Sequence, residues 1–140
     1  MANDCVFCKI VRGEIPCATV YEDKDTLAFL DIAPASPKGG HTLVMPKKHY
    51  ELFTDVPDAE LVALSKAVKR VSEALMKFGE GLNVIQNNKK VAGQFVPHVH
   101  FHLIPRFAGD GITVEKWSAH KYPQGEMEKV AGRIKSLLKE

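Results

Sequence analysis

Hydrophobic positions along the chain recur with two periods, and the changes of period mark the predicted elements. Between residues 58 and 78, Leu61, Leu64, Val68, Val71, Leu75 and Phe78 recur at steps of three and four, which places them on one face of an α-helix. Pro57 and Asp58 suit its entry and Gly79 its exit. Short runs rich in branched and aromatic residues predict strands over 18–21, 26–32, 41–45, 82–86 and 98–104, the last with strict alternation between Pro97 and Pro105. The charged stretch 22–25 reads as a hairpin turn without a glycine to fix its type, and Pro46 is expected to stop the third strand. Segments 34–40 and 87–93 read as loops. A short helix over 5–12 and a closing helix over 125–138, with Met127, Val130, Ile134 and Leu138 as a buried stripe, complete the pattern. Strands joined by hairpin-like links, with one long helix between the third and fourth, predict an α+β fold. It is a five-stranded, mostly antiparallel sheet with one long central helix, a short N-terminal helix and a C-terminal helix.

Composition narrows the class. The 140 residues are 45% hydrophobic and 26% charged, as in globular chains, and the length suits a single domain over 1–140. A net charge of +2 from 19 basic and 17 acidic residues gives no electrostatic argument for nucleic acid or a membrane surface as partner. No apolar run approaches the ~20 residues that span a bilayer, and the start lacks the layout of a secretion signal, so a cytoplasmic location is expected. Three cysteines are too few, and odd in number, for a disulfide scaffold; the Cys5-x-x-Cys8 pair points instead to metal or redox chemistry.

The segment 98–104 carries the most chemistry. In a strand, His98, His100 and His102 share one face, about 6.6 Å apart from one to the next, while Val99, Phe101 and Leu103 share the other. The apolar face belongs to a core, so the histidines look into a cleft or onto a metal. Three readings stand on the residues alone, the plainest being that the histidines are merely solvated on an exposed strand face. Histidines at this spacing can hold a metal ion, or neutral imidazole can act as a nucleophile beside an imidazole that binds phosphate. Cys5 and Cys8, with two of the histidines, make a tetrahedral zinc set.

The stretch Ala92–Arg106, AGQFVPHVHFHLIPR, resembles the signature of the histidine-triad family of nucleotide hydrolases and transferases. So do, in order, Phe7–Ile10 (FCKI), Gly13–Pro16 (GEIP), Leu27–Ile32 (LAFLDI) and His41–His49 (HTLVMPKKH). The likeness runs over 5–106, is strongest to the zinc-carrying relatives of the nucleoside phosphoramidases, and leaves 107–140 as an unmatched C-terminal extension. It implies a hydrolase of purine nucleotide conjugates, either phosphoramidates or dinucleoside polyphosphates. His100 would attack the α-phosphorus to give a nucleotidyl-histidine, with His102 donating to the phosphate and His41 behind the nucleophile, helping to orient its ring. It further implies that Phe7, Ile10, Phe29 and Ile32 line the base pocket and that Asp31 takes the ribose hydroxyls. Asn87, Gly93, Gln94, Phe95 and Val96 complete the substrate site. Structural zinc on Cys5, Cys8, His49 and His98 and a homodimer are also implied. One residue departs from the pattern: where the family carries Ser or Thr, this chain has Phe95, whose ring cannot donate a hydrogen bond to phosphate or leaving group. Arg106, just past the histidines, is placed either to meet a distal phosphate or to be solvated.

Overall fold

The computed structural model describes residues 4–138. Five strands, β1 (Thr19–Glu22), β2 (Thr26–Leu30), β3 (Thr42–Pro46), β4 (Gly81–Gln86) and β5 (Phe101–Arg106), form one sheet in the order β1-β2-β3-β5-β4. Every neighbouring pair is antiparallel. Three helices, α1 (Val6–Val11), α2 (Asp58–Phe78) and α3 (Glu126–Leu138), accompany it, giving the expected α+β architecture. No helix among the described residues is long and apolar enough to cross a membrane.

The two faces of the sheet are covered unequally, and this inequality creates the site. On one face α2 lays Leu64, Ala67, Val71 and Leu75 against Ala28, Val44, Val99 and Leu103. On the other, α1 covers Leu27 and Phe29 of β2 and Leu43 and Met45 of β3 with Cys5, Phe7 and Cys8. β2 and β3 are therefore buried on both sides, which explains why their sequences read as continuous apolar runs. A six-residue helix reaches no further, so the α1-side face of β5 and β4 is left open.

Several element ends differ from the sequence reading for identifiable reasons. β3 includes Pro46 and β5 includes Pro105, although both prolines read as terminators. Pairing between β3 and β5 runs only from Thr42↔Leu103 to Val44↔Phe101. Each proline thus lies where the sheet has a free edge on one side, and a missing N–H there costs no ladder bond. β5 begins at Phe101 rather than 98, and β2 ends at Leu30 rather than 32. Within α2, Ala67 is buried and Phe78 is half exposed, so the inward face is centred one small residue away from the predicted stripe. Gly79 follows α2 as expected, but in an extended conformation. A Cβ there would stand 3.0 Å from Pro105 Cβ and 3.3 Å from the Arg106 carbonyl; close approach selects glycine here, not helix capping. The stripe of α3 is a larger correction: no residue of α3 is buried, and Met127, Val130, Ile134 and Leu138 are exposed. A helical period reports that a face is apolar, not that this chain covers it.

Asp23 supplies what the glycine-free turn lacks. Its carboxylate accepts hydrogen bonds from the Asp25 N–H (2.9 Å), the Thr26 N–H (2.8 Å) and hydroxyl (2.7 Å), and the Tyr21 hydroxyl (2.7 Å). Partial burial opposes its charge, yet these donors prevail and hold the carboxyl down at about 2. Because the folded value lies below the unfolded one, the stabilisation is present above pH ~4 and is lost as pH falls towards 2. Asp23→Ala is expected to cost about 1–3 kcal/mol by orphaning the buried Thr26 donors. Urea unfolding should show that loss at pH 7 and a flatter stability profile for the variant between pH 4 and 2. An unchanged midpoint at pH 7 would dismiss the role.

Candidate active site

The alternation of sides predicted for 98–104 holds, although ladder pairing begins only at Phe101. Val99 and Leu103 enter the α2 core, whereas His98, His100 and His102 face the other way, and none of the three is fully solvated. The hydrogen bonds of each ring fix which nitrogen is free.

His98 is 0% exposed. Its Nε2 lies 2.8 Å from the Pro46 carbonyl. A carbonyl only accepts, so Nε2 carries the proton and Nδ1 presents a lone pair. That Nδ1 is 3.4 Å from Cys5 Sγ and 3.6 Å from Cys8 Sγ, and His49 Nδ1 is 3.3 Å from Cys8 Sγ. The four potential ligand atoms of Cys5, Cys8, His49 and His98 lie within 4.8 Å of one another. Cys5 also caps α1, its sulfur accepting the Cys8 N–H at 3.4 Å, so the Cys-x-x-Cys spacing and the helix start are one feature. Burial, then the neighbouring Cys5, pushes the Cys8 thiol up to about 11. Burial likewise depresses His98 to about 4. Two sulfurs and two imidazole nitrogens, with the Pro46 carbonyl fixing the His98 ring, match the donor set of a closed tetrahedral zinc site. The four residues singled out in the sequence thus come together as a cluster able to bind a metal ion.

His100 donates from Nδ1 to the His98 carbonyl at 2.7 Å, which leaves Nε2 bare. Its ring packs edge-on against Phe7, with centroids 5.0 Å apart. Burial lowers its pKa, opposed by the His98 carbonyl and by Asp31, so the ring is neutral at pH 7. His102 has the opposite tautomer. His41 Nδ1 accepts the Ala35 N–H at 3.0 Å, so His41 Nε2 carries the proton and donates it to His102 Nδ1 at 2.9 Å. His102 is then protonated on Nε2. Burial, followed by the neighbouring His100 and His41, depresses it to about 4. The expected contact of His41 with the nucleophile is therefore corrected: His41 orients His102, and the His98 carbonyl orients His100. Asp31 Oδ2 stands 3.8 Å from His41 Nε2, and its Oδ1 accepts the Ala33 N–H at 2.8 Å.

These rings lie in a cleft of about 540 Å³ on the face that α1 leaves open, a size suited to a small-molecule ligand. Phe7, Phe29, Asp31, Ile32, Asn87, Gly93, Phe95, Val96, His100 and His102 all line it. Ile10 does not; it packs behind, against the cluster that holds Phe7. Gln94 does not either. It is 6% exposed, accepts the Lys89 N–H at 2.7 Å and donates to the Glu51 carbonyl at 2.6 Å, so its side chain braces the 87–94 loop instead of facing a ligand. Gly93 has φ +99°, and a Cβ there would press on the Asn87 amide at 3.3 Å, so the loop shape requires glycine at this point. Arg106 meets no cleft and is not solvated. It is bound by Asp110 (2.9 and 3.1 Å), Glu115 (2.6 Å), Asn83 (2.7 Å) and the Ile112 carbonyl (2.9 Å).

The sequence reading missed Pro16, Cys17, Ile85, Ile104 and Val114, which also line the cleft. Ile104 carried a signal, since it lies two residues beyond His102 on the same side of β5. Val114 carried none; its loop is held by distant ties from Arg106 to the Ile112 carbonyl and Glu115.

The HIT domain family model matches residues 12–109. An uncharacterised HIT-like protein of Methanocaldococcus jannaschii is 57% identical over 112 residues, covering 79% of this chain and 85% of that protein. The adenosine 5'-monophosphoramidase of Schizosaccharomyces pombe is 40% identical over 135 residues, covering 96% of this chain and 98% of that protein. The crystal structure of a HIT family member from Bacillus subtilis superposes with a TM-score of 0.87 at 38% identity, over 95% of this chain and 96% of that chain.

Proposed function

The chain belongs to the HIT domain family, and on that premise we propose that it hydrolyses a purine nucleotide conjugate at the α-phosphorus. The conjugate is a phosphoramidate or a dinucleoside polyphosphate, and a nucleoside monophosphate is released. The observation that carries this reading is the pair of complementary tautomers: a bare His100 Nε2 beside a His102 Nε2–H, with ring centroids 4.9 Å apart in one cleft. A lone pair and a donor side by side suit attack at phosphorus and binding of a non-bridging oxygen. In the first step the His100 Nε2–P bond forms as the bond from phosphorus to the leaving group breaks. In the second, water forms a new P–O bond and the Nε2–P bond breaks. Splitting the displacement leaves the protein mainly to position the groups and stabilise charge.

The remaining roles follow the cleft. Phe7 and Phe29, edge-to-face at 5.6 Å, together with Ile32, form an apolar slot for the base, with Ile10 backing Phe7. Asp31 accepts from the ribose hydroxyls. Asn87, Gly93 and the backbone around Phe95 and Val96 surround the phosphate, while Gln94 keeps their loop in shape. His41 holds the His102 tautomer. Cys5, Cys8, His49 and His98 would hold a structural Zn2+; with all four ligands from the protein it would supply structure, not catalysis. We read residues 1–140 as one domain, with 107–140 an extension, and the functional unit as a cytoplasmic homodimer. The uncovered apolar face of α3 is consistent with the dimer.

Phe95 favours a second reading, a nucleotide-binding interaction protein with vestigial turnover, because no hydroxyl stands there to protonate a leaving group. Acid-quenched incubation with adenosine 5'-phosphoramidate separates the two. The hydrolase is expected to yield AMP and a transient adenylyl adduct on a peptide containing His100. Binding with neither product nor adduct would select the second reading.

A further inference from the structure

After β3 the chain crosses to α2 through residues 47–57, and the loop 87–97 runs beside this crossing towards the histidine string. The two segments meet in antiparallel order. The Tyr50 carbonyl accepts the Val99 N–H at 2.8 Å, and the Glu51 carbonyl accepts the Gln94 amide at 2.6 Å. The Phe53 N–H donates to Asn88 Oδ1 at 2.8 Å. As the first segment advances from 50 to 53, its partners step back from 99 through 94 to 88. No strand pairing joins these segments among the described residues, so these bonds span the gap between them.

Both segments also end in the cluster able to bind a metal ion. His49 begins the first and His98 closes the second, their rings packed edge-on with centroids 5.0 Å apart. Their Nδ1 atoms face the sulfurs of Cys8 and Cys5. An ion held there and the Phe53–Asn88 bond would thus clamp one pair of segments at opposite ends, with the Glu51–Gln94 bond between. Gln94 is 6% exposed, so that bond is sheltered from competing water. Its amide oxygen also takes the Lys89 N–H at 2.7 Å, which closes the loop on itself. Asn87 and Gly93 lie in the same loop and line the cleft. A change in the spacing of the segments therefore moves a wall of the cleft together with the metal-facing nitrogen of His49.

We propose that residues 50–53 form a strut that couples the metal cluster to the cleft, with Asn88 and Gln94 as positioning residues for the metal ligands. The coupling has two states: a zipped one with all three bonds made, and an open one without the Glu51 and Phe53 bonds. An ion on His49 and His98 favours the zipped state, and so does a phosphate against Asn87 and Gly93. Linkage then requires reciprocity: nucleotide strengthens the hold on the ion by the same factor as the ion strengthens the hold on nucleotide. The nucleotide half rests on the placement of phosphate in the hydrolase reading above; the metal half does not.

The test reads zinc affinity of the zinc-loaded protein by equilibrium competition with a metallochromic chelator. Gln94→Glu keeps the oxygen that serves Lys89 but loses the donor to Glu51, and Asn88→Ala loses the bond to Phe53. Neither residue belongs to the metal cluster. Leu75→Val, a trim of the core near the other end of α2, controls for general loss of stability. Each of the first two variants is expected to weaken zinc binding by at least about 5-fold more than Leu75→Val does for a matched loss of Tm. AMP at matched saturation should strengthen zinc binding by at least about 5-fold in the wild type and by less than about 2-fold in Gln94→Glu. If all three variants lose zinc only in proportion to Tm, or the protein takes up no zinc, the strut is overturned. If AMP binds and leaves zinc affinity unchanged, the coupling is overturned and the hydrolase reading survives. If AMP does not bind, the hydrolase reading fails, and the variants alone decide the strut, since their effect on zinc needs no nucleotide.

Discussion

Replacing His100 with alanine is expected to abolish the proposed nucleoside monophosphate release: kcat should fall by at least about 10⁴-fold, as when other covalent nucleophiles are removed, while the nucleotide still binds. The asymmetry follows from the geometry. Nδ1 of this ring is occupied by the His98 carbonyl at 2.7 Å, so Nε2 is its only free nitrogen. His102 cannot take over, because its Nδ1 is engaged by His41 at 2.9 Å and its Nε2 carries a proton. In the proposed reading binding draws instead on Phe7, Phe29 and Asp31, which the substitution leaves in place. The variant leaves the His98 carbonyl without its partner, at a cost of about 1–3 kcal/mol. A thermal melt beside a nucleotide titration therefore separates lost chemistry from lost fold. A variant that melts cooperatively, binds AMP as the wild type does and still turns over at more than about 1% of the wild-type rate would place the nucleophile elsewhere, since loss of a true nucleophile leaves far less.

The same bonds show how far the sequence could be read. The histidine string was legible because alternation needs only the pleat: sides are set residue by residue, even where pairing to β3 and β4 has not begun. The long helix was legible because 21 residues of one period leave no competing reading. What failed depended on distant partners. That Pro105 and Pro46 continue their strands depends on where β3 and β5 part company, which is a matter of register. Gln94 reads as a ligand-facing residue beside Gly93, but its amide is taken by Glu51, 43 residues away. His41 bonds His102 across 61 residues, and no local pattern distinguishes that from a contact with His100. In α3 the stripe is real, but the sheet faces over β2 and β3 are already filled by α1 and α2. Motif chemistry is thus local and readable, whereas the distant partners that orient those side chains and the cover of an amphipathic face are not.

Removing the proposed zinc from the Cys5–Cys8–His49–His98 cluster should give the largest loss of stability of any single treatment. Structural zinc contributes free energy comparable to the whole stability of a small domain. Cys8→Ser, or prolonged chelation, is accordingly expected to lower Tm by more than about 10 °C and to reduce bound zinc from one equivalent to well below half. The effect has a structural reason. α1 is only six residues long, too short to hold helix without tertiary support, and it carries Phe7, the lid over both His100 and Phe29. Cys5 and Cys8 tie that helix to His98 of the β5 approach and to His49 after β3. Without the tie, two buried thiols, buried His98 and half-buried His49 are left without the ion, and α1 is held to the sheet by its packing alone. The loss should also reach the nucleophile, because the residue whose Nδ1 faces the sulfurs is the residue whose carbonyl orients His100. Serine at position 8 is close in size to cysteine, so a modest loss of stability of about 1–3 kcal/mol would be ordinary core damage. A purified protein that holds no metal and melts at the same temperature with and without chelator would reduce the cluster to four side chains that happen to meet.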